Sequence, residues 1–185
     1  YALDVLQARG DIAPDSPQAQ AFAVDRIFAV TMHEVGHALG LRHNFRASRA
    51  YTLAQLADPA FTAANGTSAS VMDYAGLNLP PPGVSFERHG AVHRSALGPY
   101  DHWAIEYAYK PLAAADEAAE LQRIAGRATT PELSYGTDED NALGLDPESL
   151  AFDLGDDVLA FARSRFAIAR DLLQRQETRP LSPDA

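Results

Sequence analysis

The chain has 185 residues, of which 46% are apolar, and its formal net charge is −10. This length suits one domain with a hydrophobic core, and the acidic balance excludes nucleic acid and anionic membrane surfaces as expected partners, because both attract basic proteins. The chain has no cysteine, so disulfides and cysteine-bound zinc are excluded, and any metal must be held by His, Asp or Glu. No apolar run reaches the roughly 18 residues that a membrane-spanning helix needs.

The first quarter of the chain predicts one long helix. Ser16 and Pro17 form a helix start, because a hydroxyl cap is followed by proline at the first helical position. Apolar residues then recur at helical spacing, namely Val24, Phe28, Met32, Val35 and Leu39. Gly40 ends this pattern, so we predict a helix over about residues 17–39. A single helical turn is expected before it, near residues 3–7.

The rest of the chain is also predicted to be mostly helical, since strand signals are few. Helices are expected at residues 52–58, 99–110, 113–126 and 156–175. The segments between them are rich in proline, glycine or acidic residues and are predicted to be loops, with one extended piece near residues 84–86. The predicted fold is therefore mostly α, with one domain over residues 1–178 and a flexible tail over residues 179–185.

A group of histidines at the end of the long helix indicates a metal site. His33 and His37 lie four residues apart, and hence on one helix face, where two imidazoles can converge on one cation. Glu34 lies about 100° around the helix from His33, so it is a poor third ligand but can reach a water at the metal. Gly40 can adopt the left-handed conformation that ends a helix, and this turn would bring His43 back to the metal.

Three neutral histidines leave the fourth zinc position open, which is typical of catalytic rather than structural zinc. Zinc lowers the pKa of water at such a site to about 7, and we predict that Glu34 takes up the proton and passes it to the leaving amine. The alternative is that two buried histidines and a paired glutamate belong only to a core helix. The added presence of Gly40 and His43 favours the metal site.

The pattern His-Glu-x-x-His-x-x-Gly-x-x-His, here residues 33–43, resembles the signature of the metzincin metalloproteases. That family has a methionine-containing turn, the Met-turn, beneath its zinc, and residues 70–74 (Ser-Val-Met-Asp-Tyr) resemble it. The resemblance implies that Met72 forms an apolar floor under the imidazoles and that Tyr74 stabilises the oxyanion. The alternative for both side chains is packing in the core.

A wider resemblance, over about residues 20–175, is to large bacterial zinc-dependent metalloproteases with Met-zincin domains. It is carried by residues 37–45 (HALGLRHNF), residues 70–74 and residues 98–107 (GPYDHWAIEY). It implies an exported protein with a peptide or protein substrate and further domains on its N-terminal side. Metzincins place a twisted sheet before the zinc helix, and the 32 residues before His33 do not read as its strands. Either that sheet lies upstream of Tyr1 or the substrate is bound in another way, and we expect the first.

Other polar residues allow weaker predictions. His89 and His93 are four residues apart in a glycine- and proline-flanked segment, where a solvated loop is favoured over a second metal site. The acidic residues between positions 138 and 157 suit calcium in kind, but no calcium-loop spacing is present, so a solvated acidic face is favoured. Asp73 and Asp101 are both candidates to accept a hydrogen bond from a ligand imidazole.

The sequence thus predicts a mostly α, zincin-like core with a long active-site helix, a Met-turn and C-terminal helices, acting as a zinc endopeptidase. One alternative is a non-catalytic module in which zinc only holds together a small fold that presents a surface to partners. Glu34 argues against it, because a structural site needs no base. A second alternative is a zincin that uses a downstream glutamate as third ligand, which His43 makes superfluous.

Overall fold

The structure, a computed structural model, describes residues 1–144 and 146–177, so the predicted tail at residues 179–185 lies outside the described residues. Within the described ranges the chain is mostly helical and contains no β-strand. The α-helices there are α1 (Ala2–Arg9), α2 (Pro17–Ala38), α3 (Leu53–Ala57), α4 (Pro59–Asn65), α5 (Pro99–Tyr109), α6 (Glu117–Ala125), α7 (Asp138–Ala142) and α8 (Val158–Glu177). None of the helices described is long and apolar enough to cross a membrane.

Helix α2 begins where the sequence predicts and ends one residue earlier, at Ala38. The Oγ of Ser16 accepts a hydrogen bond from the backbone N–H of Ala19 at 3.1 Å, which satisfies one of the free donors of the first turn. Pro17 follows as the first helical residue, where its missing N–H removes no helical bond. The local cap therefore fixes the start of the helix that carries the predicted zinc ligands.

Three local predictions differ from the structure. Pro59 does end a helix, but it also begins α4, because the Asp58 side chain caps that helix by accepting from Ala60 N at 2.8 Å. The extended piece expected near residues 84–86 is absent, and a short 3-10 turn, Phe86–Arg88, lies there instead. Helix α7 lies within a stretch predicted to be loop.

Two apolar clusters hold the helices together. One unites α1 with α8 and the neighbouring loops through Ala2, Val5, Leu6, Ile12, Ala19, Leu79, Val92 and Ile168. The other joins α8 to the segment around α3 through Tyr51, Leu56, Leu154 and Phe161. Arg9 strengthens the first contact, because its guanidinium pairs with Asp171 at 3.0 Å and donates to Pro80 O at 2.8 Å. Helix α8 thus contributes to both clusters, and it links α1 to the segment around α3.

The apolar stripe of α2 faces outward, away from these clusters. Met32 is half-buried, and the other side chains of this stripe are between 42% and 65% exposed, namely Val24, Ile27, Phe28, Val35 and, directly after the helix, Leu39. The opposite face is buried and contains Ala29, His33 and Gly36. The periodicity predicts the helix correctly, but the side of the helix that packs inside this chain is the one that carries the first histidine.

Candidate metal centre

His33, His37 and His43 converge on one point. One ring nitrogen of each lies within 4.8 Å of the others, and the Nε2 atoms of His37 and His43 are 3.2 Å apart. Among residues 1–144 and 146–177, this is the one group of three or more His, Asp or Glu side chains close enough to share a metal ion. The structure therefore brings together all three residues that the sequence predicts as ligands.

The end of α2 explains how His43 reaches the other two rings. Gly40 has a φ of +84°, a left-handed conformation that favours glycine. Its N–H donates to His37 O at 2.9 Å, and the N–H of Leu41 donates to Gly36 O at 3.0 Å. This pair of bonds closes the helix in a Schellman motif and reverses the chain, so that His43 lies beside the helix it has just left.

Each ligand imidazole is oriented by an oxygen at its Nδ1 atom. The bonds run from His33 to Val71 O (2.7 Å), from His37 to Leu41 O (3.0 Å) and from His43 to Asp138 Oδ1 (2.7 Å). A carbonyl oxygen only accepts, and the hydrogen bond from His43 lowers the pKa of Asp138, which keeps that carboxyl ionised. The Nδ1 atoms therefore carry the protons, and the Nε2 atoms present lone pairs.

Three lone pairs directed at one point repel one another unless a cation lies between them. Burial, the largest cause, lowers the pKa of His33, which is only 4% exposed, and this favours the neutral ring that a metal requires. Three neutral imidazoles with their far nitrogens hydrogen-bonded to oxygens are the donor set of catalytic zinc. The residues present therefore fit a zinc ion.

Met72 lies in the turn that passes beneath α2. It is fully buried, its N–H donates to Ser70 Oγ at 3.0 Å, and its carbonyl accepts from Asn44 N at 3.0 Å. A Cβ added to Gly36 would lie 2.2 Å from Met72 Sδ, so the sulfur occupies the space that a side chain on the helix would need. The turn is thus packed against the helix between His33 and His37.

Asp101 holds this turn without touching a ligand ring. Its carboxylate accepts from Ser70 Oγ (2.6 Å), Val71 N (2.9 Å) and Gly98 N (2.8 Å). Because the carbonyl of Val71 orients His33, Asp101 acts on the site through the backbone of residue 71. Asp101, one of the two candidates to accept from an imidazole, therefore makes no such contact.

Asp73 does not contact a ligand ring either. Its Oδ2 accepts from Ser48 N at 2.6 Å, and burial raises the pKa of Asp73 to about 8. Neither of the two candidate carboxylates therefore orients a ligand imidazole. The carboxylate that does so is Asp138, which the sequence offered only as one member of an acidic stretch.

Asn44 brings Asp138 to the site. Its side-chain oxygen accepts from Gly136 N at 3.2 Å, and its amide donates to Ser134 O at 3.0 Å. The next residue adds a backbone bond from Phe45 N to Gly136 O at 2.7 Å. Residues 134–136 are thereby fixed beside His43, so α7 begins at Asp138 with its carboxylate at that ring. The signal in the sequence was the capping pair at Thr137 and Asp140, which predicts a helix start there.

Glu34 and Tyr74 line one cleft with His33. The cleft has a volume of about 410 Å³. The Tyr74 ring lies 4.5 Å from the His43 ring and 5.3 Å from the His33 ring between centroids, and the residue is 40% exposed. Tyr74 is therefore next to the histidines and is not packed in the core. Both candidate catalytic groups are accessible from the same side of the centre.

The weaker predictions have mixed outcomes. Among the described residues His89 and His93 form no second metal group. His93 is buried rather than solvated, and its ring packs 4.5 Å from that of Phe22.

The acidic stretch between residues 138 and 157 does not form a cluster of calcium ligands within the described ranges. Glu139 pairs with Arg42 at 2.8 Å, and its neighbours make helix caps or other ion pairs. Calcium is not supported.

The chain is thus mostly helical, and three of its histidines converge closely enough to hold one metal ion. Residues 15–184 match the family described as Met-zincin, so the chain belongs to this family. The comparison with curated proteins and that with solved structures gave no match. The family and the three histidines together indicate a zinc-dependent metalloprotease.

Proposed function

We propose that the protein is a zinc-dependent endopeptidase in which His33, His37 and His43 hold the ion and Glu34 is the general base. The observation that carries the proposal is the convergence of one ring nitrogen from each of three histidines, each ring fixed at Nδ1, beside an exposed carboxylate in a cleft. When bound, zinc supplies the Lewis acidity that makes water a nucleophile near neutral pH.

The chain's own groups then move the protons. Glu34 accepts a proton from the attacking water and delivers it to the leaving amine of the cleaved peptide bond. This role is supported by its place directly after His33 and by its exposure in the cleft. The Tyr74 hydroxyl donates to the oxyanion as the carbonyl is attacked, a role supported by the position of its ring beside His43.

The packing around the site supports this chemistry by restricting the rings. Met72 forms the apolar floor, a role supported by its complete burial and by its contact with α2 at Gly36. Val71 O and Asp138 keep two of the imidazoles from rotating. A site with fixed ligands needs little rearrangement during the reaction, which is the basis of electrostatic catalysis.

We also propose that further domains lie upstream and that the protein is exported, as the family resemblance implies. The outward apolar stripe of α2 is the surface on which the expected twisted sheet would pack. Residues 1–185 alone should bind a hydrophobic dye at this face, and a longer protein that contains the sheet should not. Equal dye binding by both would contradict this arrangement, and cell fractionation tests export.

The proposed reaction is tested with Glu34→Gln in the full-length protein. The variant should keep one zinc ion but lose cleavage of a peptide library by about 10²–10⁴-fold, the usual contribution of a general base. Glu117→Gln, at an exposed glutamate of α6, is the matched control and should cleave normally. If neither the wild type nor the control cleaves any peptide while zinc removal unfolds the protein, the non-catalytic zinc module is the better description.

A further inference from the structure

Three arginines line the cleft that contains Glu34. They are Arg26 of α2, Arg94 of the loop before α5, and Arg165 of α8. Glu34 is the one acidic residue among those that line the cleft. Apart from it and the three arginines, the lining residues are histidine, tyrosine or apolar. The chain as a whole carries a formal charge of −10, so this cleft is an island of positive charge on an acidic protein.

Arg94 is rigidly placed in the cleft wall. Its Nη1 donates to Val71 O at 2.7 Å and also to Asp73 O. Val71 O is the acceptor that orients His33, so this guanidinium lies next to the metal centre. Within the described residues Arg94 forms no ion pair with a carboxylate. The charges of Asp73 and Asp101 act on Arg94 from a distance, so its guanidinium can still pair directly with an anionic group that enters the cleft.

In the part of the chain that the structure describes, Arg165 also lacks a partner for its positive charge, and in addition it leaves a buried N–H donor without an acceptor. Its Nη1 atom is buried and has no hydrogen-bond partner among the described residues. The guanidinium is held by aromatic rings instead, with its carbon 4.8 Å from the centre of the Tyr1 ring and 6.0 Å from that of Phe161. Burying a cationic donor without an acceptor costs free energy. An anion bound in the cleft would accept this hydrogen bond and remove that cost.

The position of Arg26 on α2 gives the distance between an arginine of the cleft and Glu34. Arg26, Val30 and Glu34 follow one another at intervals of four residues, so they share one face of α2. Two helical turns separate the first from the last, which is about 12 Å at 1.5 Å per residue. An extended peptide advances about 3.3 Å per residue, so this span corresponds to roughly three or four substrate residues.

We propose that this cleft binds the carboxylate of an acidic substrate side chain within about four residues of the cleaved bond, between Arg26, Arg94 and Arg165. Planar guanidinium groups bind carboxylates through paired, charge-assisted hydrogen bonds, and the surrounding apolar residues Val30, Leu77 and Phe152 reduce competition from water. This inference rests on the proposed endopeptidase function, because it specifies the substrate of that same site.

The first test uses the zinc-loaded full-length protein and a series of peptides in which one glutamate occupies each position within four residues of the cleaved bond. At one or more positions kcat/KM should be about tenfold or more above that of the matched glutamine peptide, the factor expected for a charged hydrogen bond. Equal rates at every position would overturn the proposal. A dependence on a free, non-amidated C-terminus in place of an internal acid would also overturn it, and would assign the cleft to the terminal carboxylate.

Variants test whether the arginines cause the preference. Arg165→Gln should reduce the ratio of the glutamate to the glutamine rate about tenfold. Arg163→Gln, at an exposed arginine of the same helix that does not line the cleft, should leave the ratio unchanged. Because the Arg165 variant can disturb the packing of α8, Arg26→Gln, at an exposed position, provides a second test and should also lower the ratio. An unchanged ratio in both folded variants would contradict the assignment.

Binding without chemistry separates this inference from the proposed function. Glu34→Gln should bind a fluorescent glutamate peptide about tenfold more tightly than its glutamine analogue, measured by anisotropy, and added salt should reduce the difference. If peptides are cleaved without an acidic preference, only the inference fails. If nothing is cleaved but the acidic peptide still binds selectively, the endopeptidase proposal fails and the carboxylate site stands.

Discussion

Gly36 and Met72 pack so closely that a methyl group on the glycine would lie 2.2 Å from the sulfur of the methionine. The contact joins the helix that carries His33 and His37 to the turn whose Val71 carbonyl orients His33. Met72 is flexible in principle, but it is fully buried and has little room to withdraw. The glycine therefore serves as a docking position for the turn.

Gly36→Ala should destabilise the protein by about 1–3 kcal/mol, because overpacking outweighs the helix propensity that alanine adds. Urea unfolding measures the change. In a Met72→Ala background the same substitution should cost much less, since the clashing sulfur is gone. Gly40→Ala has no atom within 4 Å of its new Cβ, and its loss comes from the left-handed backbone, so Met72→Ala should not relieve it. A stabilised Gly36→Ala protein would contradict the packing described.

Asp138→Asn should weaken zinc binding about 10–100-fold, because the carboxylate that orients His43 is replaced by a neutral acceptor. Chelator competition measures the affinity. Glu139→Gln, at the adjacent carboxylate that pairs with Arg42, is the matched control and should bind zinc within about twofold of the wild type. An Asp138 variant as tight as this control would show that the hydrogen bond does not support the ligand.

Asp101→Asn should lower the free energy of unfolding by about 3 kcal/mol. The carboxylate accepts three buried hydrogen bonds, and an amide in its place turns an N–H donor toward backbone donors. Asp116→Asn, at an exposed residue whose side chain makes no capping bond, should change stability by less than about 0.5 kcal/mol. Unfolding titrations that give similar values for the two variants would refute the role of Asp101 in holding the turn.

His93→Phe should reduce the acid sensitivity of the fold. Burial, with a smaller contribution from Arg26, lowers the pKa of His93 from 6.5 to about 4. Between pH 6.5 and pH 4, His93 is protonated in the unfolded chain but stays neutral in the folded protein. The free energy of unfolding therefore falls as the pH drops through this range, by at most about 3 kcal/mol. Phenylalanine keeps the contact with Phe22 and does not titrate.

The measurement for His93 is the difference in unfolding free energy between pH 7 and pH 4.5, compared between the variant and the wild type. All other histidines are shared, so their contributions cancel. His102→Gln, at an exposed histidine, should retain the wild-type acid sensitivity. An equal loss of stability on acidification in His93→Phe and wild type would mean that the buried ring is not responsible.

The part of the site that was predictable from the sequence is the part fixed by local geometry. The positions of His33 and His37 follow from the helical repeat, and the return of His43 follows from the left-handed turn at Gly40. Both effects act within eleven residues, where the choice of backbone conformations is small. The positions of Met72 and Tyr74 near this site came from the family resemblance instead.

The remaining features depend on distant contacts, which the sequence does not encode locally. Asp138 lies 95 residues after His43, and the capping pair at Thr137 and Asp140 marks a helix start there without indicating that His43 is its partner. Arg94 reaches the site only because its loop folds back on Val71. The apolar stripe of α2 identified a helix but not its surroundings, because periodicity shows that a face is apolar and not what covers it.

The distance in sequence between His43 and Asp138 has a consequence for the protein during its synthesis. All three metal-binding rings leave the ribosome well before the carboxylate that steadies the last of them. At about 5–20 residues per second, translation of the intervening 95 residues takes roughly 5–19 seconds. A nascent chain would hold its ion weakly throughout this interval. Full affinity for the ion would therefore be reached only after Asp138 has been synthesised and has folded back onto His43.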